Sequence, residues 1–420
     1  MASFLELSID RAVAGGRMLA RHEGQVVLVL GALPGERVRV QIERRQKQLL
    51  FARTVEVFDA SPDRREPFCD LACGGSSYAH IAYDRQRALK GEIVADAFAR
   101  IAKHPLETTV PVAASPEAGY RMRARVHVAQ GQWGFYREGT HVMCDAASTR
   151  QLRDDTCAAI DAFCAAQPDI VAKLTAMTVS ENIDASTRLL ELEAKEGVGP
   201  LPSIVELGVA GVHGVSAHHG PTLWGASWME EASRALWPDD SPLDREVVWR
   251  RRPASFFQGN RYLLGALVAE VLRSTGSASR VIDLYAGGGL FSVALAATGH
   301  QVIAVEADAS SSKDLADNAR PFGEAIVSIT SPVEAIVKQR PPFAPDTVVM
   351  DPPRVGASPE AIQGLCNWKA PRIVYVSCDP PTLARDCAKL FASGYRLTSI
   401  TGFDLFPNTP HVETVAVLER

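Results

Sequence analysis

The chain has no run approaching the roughly 20 apolar residues that cross a bilayer as a helix. Its start, Met1-Ala2-Ser3-Phe4, leads directly to Glu6 and Asp10, so neither a membrane partner nor a secretory leader is predicted. There is no convincing low-complexity segment and no short tandem repeat. A basic excess is missing too: 44 Lys and Arg stand against 49 Asp and Glu, a net charge of −5. Nothing therefore draws the whole chain to a polyanion, and any nucleic-acid footprint has to be local. The eight cysteines show no disulfide-like pattern, which fits a reactive thiol kept in a reducing, cytoplasmic compartment. With 420 residues the chain has length for two or three domains.

What is present concentrates in the C-terminal half. Arg280-Val281-Ile282-Asp283-Leu284 is a short β-branched run, Tyr285-Ala286-Gly287-Gly288-Gly289 a tight loop, and Leu290 to Ala296 a helical segment. Glycines let a ligand approach the backbone, and a helix N-terminus offers free N–H groups. The next strand-like run, Gln301 to Val305, ends in Glu306. An acid roughly 20 positions after a glycine loop is placed to bind a ribose hydroxyl pair. The glycines are not spaced G-x-G-x-x-G and no P-loop lysine follows, which disfavours a dinucleotide and favours a sulfonium cofactor. Asp351 ends another apolar run, before Pro352-Pro353-Arg354; it reads as a ligand-facing acid or as a solvated turn residue.

Cys378 lies at the end of the apolar run Ile373-Val374-Tyr375-Val376, before Asp379-Pro380-Pro381 and a helix-like segment. A solitary cysteine there is most often a small buried hydrophobe, but a strand tip is also where an α/β domain gathers ligand-facing groups. Glu413 interrupts the apolar residues of the last strand. Buried, it would have a raised pKa and exchange protons near neutrality; on an edge strand it would face water.

The segments Ser377 to Asp386 and Phe406-Pro407-Asn408-Thr409-Pro410-His411-Val412-Glu413 resemble the RNA uracil-5 methyltransferase family, which makes 5-methyluridine in transfer RNA or 23S ribosomal RNA. The resemblance covers nearly the whole chain. The family usually has asparagine where Asp379 stands and a small residue where Pro381 stands, and neither change touches the reacting group. The resemblance implies an α/β, Rossmann-like S-adenosylmethionine-dependent domain with Cys378 as nucleophile and Glu413 as base. It places Gln258, in Phe256-Phe257-Gln258-Gly259-Asn260, with Tyr285, Gly287, Glu306 and Asp351 around the cofactor. Asn318 matches a recurring asparagine for which a structural role on a helix is expected.

The same resemblance extends to the N-terminal half. The short strand-like runs from Ile9 to Ala60, with the turn Leu33-Pro34-Gly35-Glu36, suggest a small barrel similar to a TRAM domain. Arg44-Arg45-Gln46-Lys47 is a candidate phosphate-contacting loop. Tyr120-Arg121-Met122-Arg123-Ala124-Arg125 fits a family run whose arginines would share one strand face and touch RNA. Many relatives hold a four-iron cluster on four cysteines. Here Cys69 and Cys73 are present, but Ser76 and Thr149 occupy the other expected ligand positions. No 4Fe-4S cluster is expected, unless Cys144 or Cys157 completes a rearranged site.

The expected domains are an OB-like TRAM barrel at 1–60, a mixed α+β RNA-binding domain at 61–245 and the methyltransferase domain at 246–420, with Asp84 to Lys103 a helix and Asp239 to Leu243 a linker. The resulting reading is a monomeric enzyme making 5-methyluridine in 23S ribosomal RNA. The alternatives are a transfer RNA target and a catalytically idle RNA-binding factor. A cytosine-5 enzyme is disfavoured by Glu413 and by the Pro353-Arg354 pair after Asp351, where no second cysteine occurs.

Overall fold

The computed structural model describes all residues except Met1, Ala2, Pro238, Asp244 and Pro342; the first two residues of the expected barrel domain thus lie outside it. The strands Phe4–Ala12, Met18–His22, Gln25–Leu30, Arg37–Gln46 and Leu49–Asp59 close into a barrel. Alternate residues such as Leu7, Val27, Val29, Val38, Val40 and Leu50 fill its interior, the two-residue period of a strand with one buried face. The turn expected at Leu33-Pro34-Gly35-Glu36 closes on itself. Glu36, fully buried, accepts from Leu33 N at 2.8 Å and pairs with Arg64 at 2.6 Å.

A seven-stranded sheet forms the centre, running from Thr222–Gly225 at one edge to Met143–Cys144 at the other. Arg123–Ala129 and Leu174–Glu181 lie in its middle, and the helix Asp154–Ala166 contributes Cys157, Ile160 and Phe163 to its core.

The third unit is an eight-stranded sheet. Ile326–Thr330, Gln301–Glu306, Arg280–Leu284, Thr347–Met350 and Arg372–Ser377 are parallel neighbours. Their near-continuous apolar runs reflect burial on both faces. Helices Leu264–Thr275 and Leu290–Ala297 pack on one face; Pro359–Trp368 and Pro380–Ala392 pack on the other. This is the doubly wound α/β arrangement expected from the alternating strand and helix patterns.

Glu413–Glu419 inserts antiparallel between Arg372–Ser377 and Arg396–Phe403. It is an interior strand, so Glu413 is not an edge residue. The helix expected from Asp84 runs Tyr83–Ala97 and continues as a π-type turn, Phe98–Ala102. It packs on this third unit, and Val112–Ala113 adds the sheet's outermost strand. Among the described residues no helix is long and apolar enough to cross a membrane.

Candidate active site

The C-terminal ends of the parallel strands carry the expected residues. After Leu284 the chain turns sharply: Tyr285, Gly287 and Gly289 have φ of 61°, 56° and 88°. Glycine takes that conformation freely, whereas Tyr285 is held there against a steric cost. Glu306, at the end of the next strand, joins two loops. One carboxylate oxygen accepts from Gly287 N at 2.8 Å; the other accepts from Ala307 N at 2.8 Å and Asp308 N at 2.7 Å. Asn318 has the structural role expected of it, donating to Gly288 O and Arg250 O, both at 2.8 Å. Gln258 reaches the same place because Met122 N donates to Gly259 O at 2.8 Å, and its amide donates to Asp351 at 3.1 Å. All seven expected residues line one cavity of about 720 Å³.

Cys378 and Glu413 are neighbours by register. Ser377 pairs with Thr414 across the antiparallel ladder, and the Thr414 hydroxyl donates to Ser377 O at 3.0 Å. One step further along, Cys378 stands opposite Glu413. Asp379 caps the helix Pro380–Ala392, accepting from Thr382 N at 3.0 Å.

The electrostatics differ from a preformed thiolate. Burial, then the charges of Glu413 and Asp351, push the Cys378 thiol up to about 12. Glu413 is buried, one of its oxygens has no partner, and burial and Asp351 raise its pKa well above the usual carboxylate range. Asp351 is pushed up to about 7 by burial and by Asp283. Asp283, which carried no assigned role in the sequence reading, is wholly buried, accepts from the Ser292 hydroxyl at 2.5 Å and also lies near 7. The free site is therefore an acid cluster that holds protons at neutrality.

A second cavity of about 480 Å³ shares Arg354, Cys378 and Glu413 with the first. It is also lined by Arg121, His127 and Tyr136 of the central unit and by Phe406 and His411 of the loop before Glu413. The arginine run is not a uniform basic face. Arg121 precedes the strand, Arg123 donates to Pro253 O at 3.3 Å, and Arg125 pairs with Glu193 at 2.8 Å. Arg121 lies between the rings of Phe135 and Phe406 and donates to Gln151 at 2.5 Å, with no carboxylate partner among the described residues. His127, Tyr136 and His411 were not identified as site residues from sequence. Of the three, His411 lies in the Phe406 to Glu413 segment that carries the resemblance, where it had no assigned role.

The loop before Glu413 is pinned by the helix Tyr83–Ala97. Lys90, fully buried, bonds Asp404 at 2.5 Å and Phe406 O at 3.1 Å. Gln86 and Asn408 exchange hydrogen bonds of 2.8 and 3.0 Å.

Comparison with known proteins gives the family and the fold. The TRAM domain family model matches residues 4–55, and the tRNA (uracil-5-)-methyltransferase model matches residues 336–420. The 23S rRNA (uracil(1939)-C(5))-methyltransferase RlmD of Pseudomonas entomophila is 32% identical over 98% of this chain and 93% of its own length. The protein of that name from Thiobacillus denitrificans is 31% identical over 99% and 98%. The chain belongs to the RNA uracil-5 methyltransferase family. The fold of the tRNA (uracil-54, C5)-methyltransferase of Pyrococcus abyssi, solved with S-adenosyl-L-homocysteine, superposes with a TM-score of 0.74 at 24% identity, covering 98% of this chain and 99% of that one.

The cysteine segment differs from its expectation. Cys73 forms a disulfide with Cys144, correcting both the expectation that no cysteines pair and the idea that Cys144 could complete a rearranged cluster. The two sit 71 residues apart in sequence, beyond the reach of any spacing rule. The Ser76 hydroxyl donates to Cys73 O at 2.7 Å and the Thr149 hydroxyl to Ala146 O at 2.6 Å. With one thiol consumed and two hydroxyls turned to backbone carbonyls, this donor set does not fit a four-iron cluster.

Proposed function

We propose that this chain methylates C5 of a uridine in 23S ribosomal RNA, with S-adenosylmethionine as the donor. The observation that carries the reading is the meeting of Cys378 and Glu413 at the wall common to two cavities. One is ringed by the glycine loop, Glu306 and Asp351, the other by cations and aromatic rings. The names of the relatives favour ribosomal over transfer RNA. The barrel at 1–60 and the central seven-stranded unit hold the RNA; 246–420, with the helix Tyr83–Ala97 and the strand Val112–Ala113 packed on its sheet, carries out the chemistry; and the protein works as a cytoplasmic monomer.

C5 of uracil is a poor nucleophile. Cys378 loses its thiol proton to solvent, and addition of the thiolate sulfur to C6 makes an enolate with electron density at C5. When bound, S-adenosylmethionine supplies an electrophilic methyl group and a positive charge. Glu413 takes the proton from C5, and the Cys378 sulfur leaves by β-elimination. Burial and the repulsion of neighbouring acids disfavour the ionised forms of Asp351 and Glu413 in the free site; a cation held beside Asp351 would favour the ionised forms needed for base catalysis. A uracil within a stem cannot reach Cys378, so the target base is looped or flipped into the second cavity.

Nucleoside mass spectrometry of ribosomal and transfer RNA from cells with and without the gene tests the reading. Loss of 5-methyluridine from 23S RNA is expected. Loss from transfer RNA alone would move the substrate to that class. Unchanged levels, with no labelled methyl transfer by purified protein, would leave an RNA-binding factor.

A further inference from the structure

The second cavity has a built aromatic wall that the methyl-transfer steps do not use. His127, on the strand Arg123–Ala129, and Tyr136, on Gln132–Tyr136, belong to adjacent antiparallel strands. Their rings are stacked, with centroids 3.5 Å apart and planes within 8° of each other. His141 packs edge-on against Tyr136 at 5.4 Å, an angle of 89°. Both stacked rings are half-buried and line the cavity whose other end is formed by Cys378 and Glu413. Burial and the neighbouring Arg125 hold the His127 pKa down, so the imidazole is neutral under ordinary conditions and presents a π face rather than a charge.

The surrounding cations fit an RNA strand. Arg125 is occupied by Glu193, whereas Arg121 has no carboxylate partner and Arg354 lies 3.9 Å from Asp379. The cavity volume, about 480 Å³, falls within the roughly 300–1,000 Å³ of ordinary ligand pockets. Aromatic rings beside an arginine that has no carboxylate partner among the described residues, Arg121, form the kind of surface on which unstacked nucleobases settle.

We infer that the His127–Tyr136 pair is a second nucleobase subsite, on which a base adjacent to the target uridine stacks while the target lies at Cys378. This rests on the proposed RNA methylation and adds to it a reader of neighbouring sequence. Flipping the target costs stacking energy in the RNA, and stacking of the neighbour on these rings offsets part of that cost and sets the strand's direction at the site.

The test uses the full chain and a 23S rRNA hairpin fragment carrying the target uridine. 2-Aminopurine is placed in turn at the positions flanking the target. With wild-type protein, one flanking position is expected to be quenched on binding. Tyr136→Ala and His127→Ala should abolish that quench and raise KM about 5- to 150-fold, with a smaller effect on kcat and unchanged affinity for S-adenosylhomocysteine. Tyr136→Phe should keep the quench. An abasic residue at the quenched position should weaken wild type by the same factor and Tyr136→Ala no further. No quenching at either flank, or unchanged KM in both alanine variants while wild type still makes 5-methyluridine, overturns the subsite alone. If wild type makes no 5-methyluridine in this fragment or in RNA from the deletion strain, the subsite and the proposed function fall together.

Discussion

The protonation state of Asp351 leads to a binding prediction with a definite magnitude. Burial and Asp283 push this carboxyl up to about 7, and it accepts a hydrogen bond from the Gln258 amide at 3.1 Å. With that value, about nine tenths of the group is protonated at pH 6 and about one tenth at pH 8. A cofactor whose cationic groups face Asp351 binds the carboxylate form and must displace the proton. Binding at pH 6 should therefore release about 0.9 proton, and affinity should rise about tenfold, or about 1.4 kcal/mol, between pH 6 and 8. Isothermal titration of S-adenosylmethionine at fixed pH, in two buffers of different ionisation enthalpy, measures the release directly. Asp351→Asn should bind more weakly at pH 8, with affinity nearly independent of pH. No buffer-dependent heat at pH 6, or the same release from Asp351→Asn, would refute the assignment.

The free protein should show the opposite trend in stability. Asp283 and Asp351 have folded values raised above those of an unfolded chain, so their stabilising contribution is full below about pH 4 and is lost as pH rises through about 7. For the wholly buried Asp283, pushed up to about 7, that contribution is on the order of 4 kcal/mol. Thermal unfolding between pH 5 and 8 should show a falling Tm for the free protein and a smaller fall with cofactor bound.

Cys378→Ala should abolish turnover with little change in affinity for S-adenosylhomocysteine, whereas Glu413→Gln should accumulate a methylated RNA–protein adduct that survives denaturing electrophoresis; absence of that band would count against Glu413 as the base. Cys144→Ser opens a covalent loop of 71 residues, for which chain entropy gives about 4 kcal/mol; its denaturation midpoint should match that of wild type in excess reductant, and equal midpoints for oxidised and reduced wild type would remove the bond's role. Lys90→Met leaves Asp404 buried without its ion-pair partner and should cost about 3–5 kcal/mol with a loss of kcat, much of the stability returning in Lys90→Met combined with Asp404→Leu; a destabilised Lys90→Met with unimpaired kcat would show that the pair does not position the Glu413 loop.

The residues that were legible in the sequence share one circumstance. Glu306, Asp351 and Cys378 each terminate an apolar run, and in a parallel sheet such runs end on the same edge. Local pattern is then enough to bring them together. Glu413 needed one more fact, that its strand lies inside the sheet, and this decides between a solvated glutamate and a buried acid. The alternation of Arg121, Arg123 and Arg125 gave a direction but not a partner. Glu193, on a strand two positions away in the sheet order, neutralises one of the three.

What local pattern could not supply are the pairings made by the tertiary fold. Lys90 meets Asp404 across 314 residues and Cys73 meets Cys144 across 71. The segment Tyr83–Ala97 is legible in the sequence only as a helix, yet through Lys90 and Gln86 it fixes the loop that delivers Glu413. The second cavity is assembled in the same way, from the central sheet on one side and the Phe406–Glu413 loop on the other. The residues proposed for chemistry at C5 can therefore be read from the strand ends of one sheet, whereas the second cavity has walls from two units of the fold, and no single segment of sequence holds the pattern that would announce it.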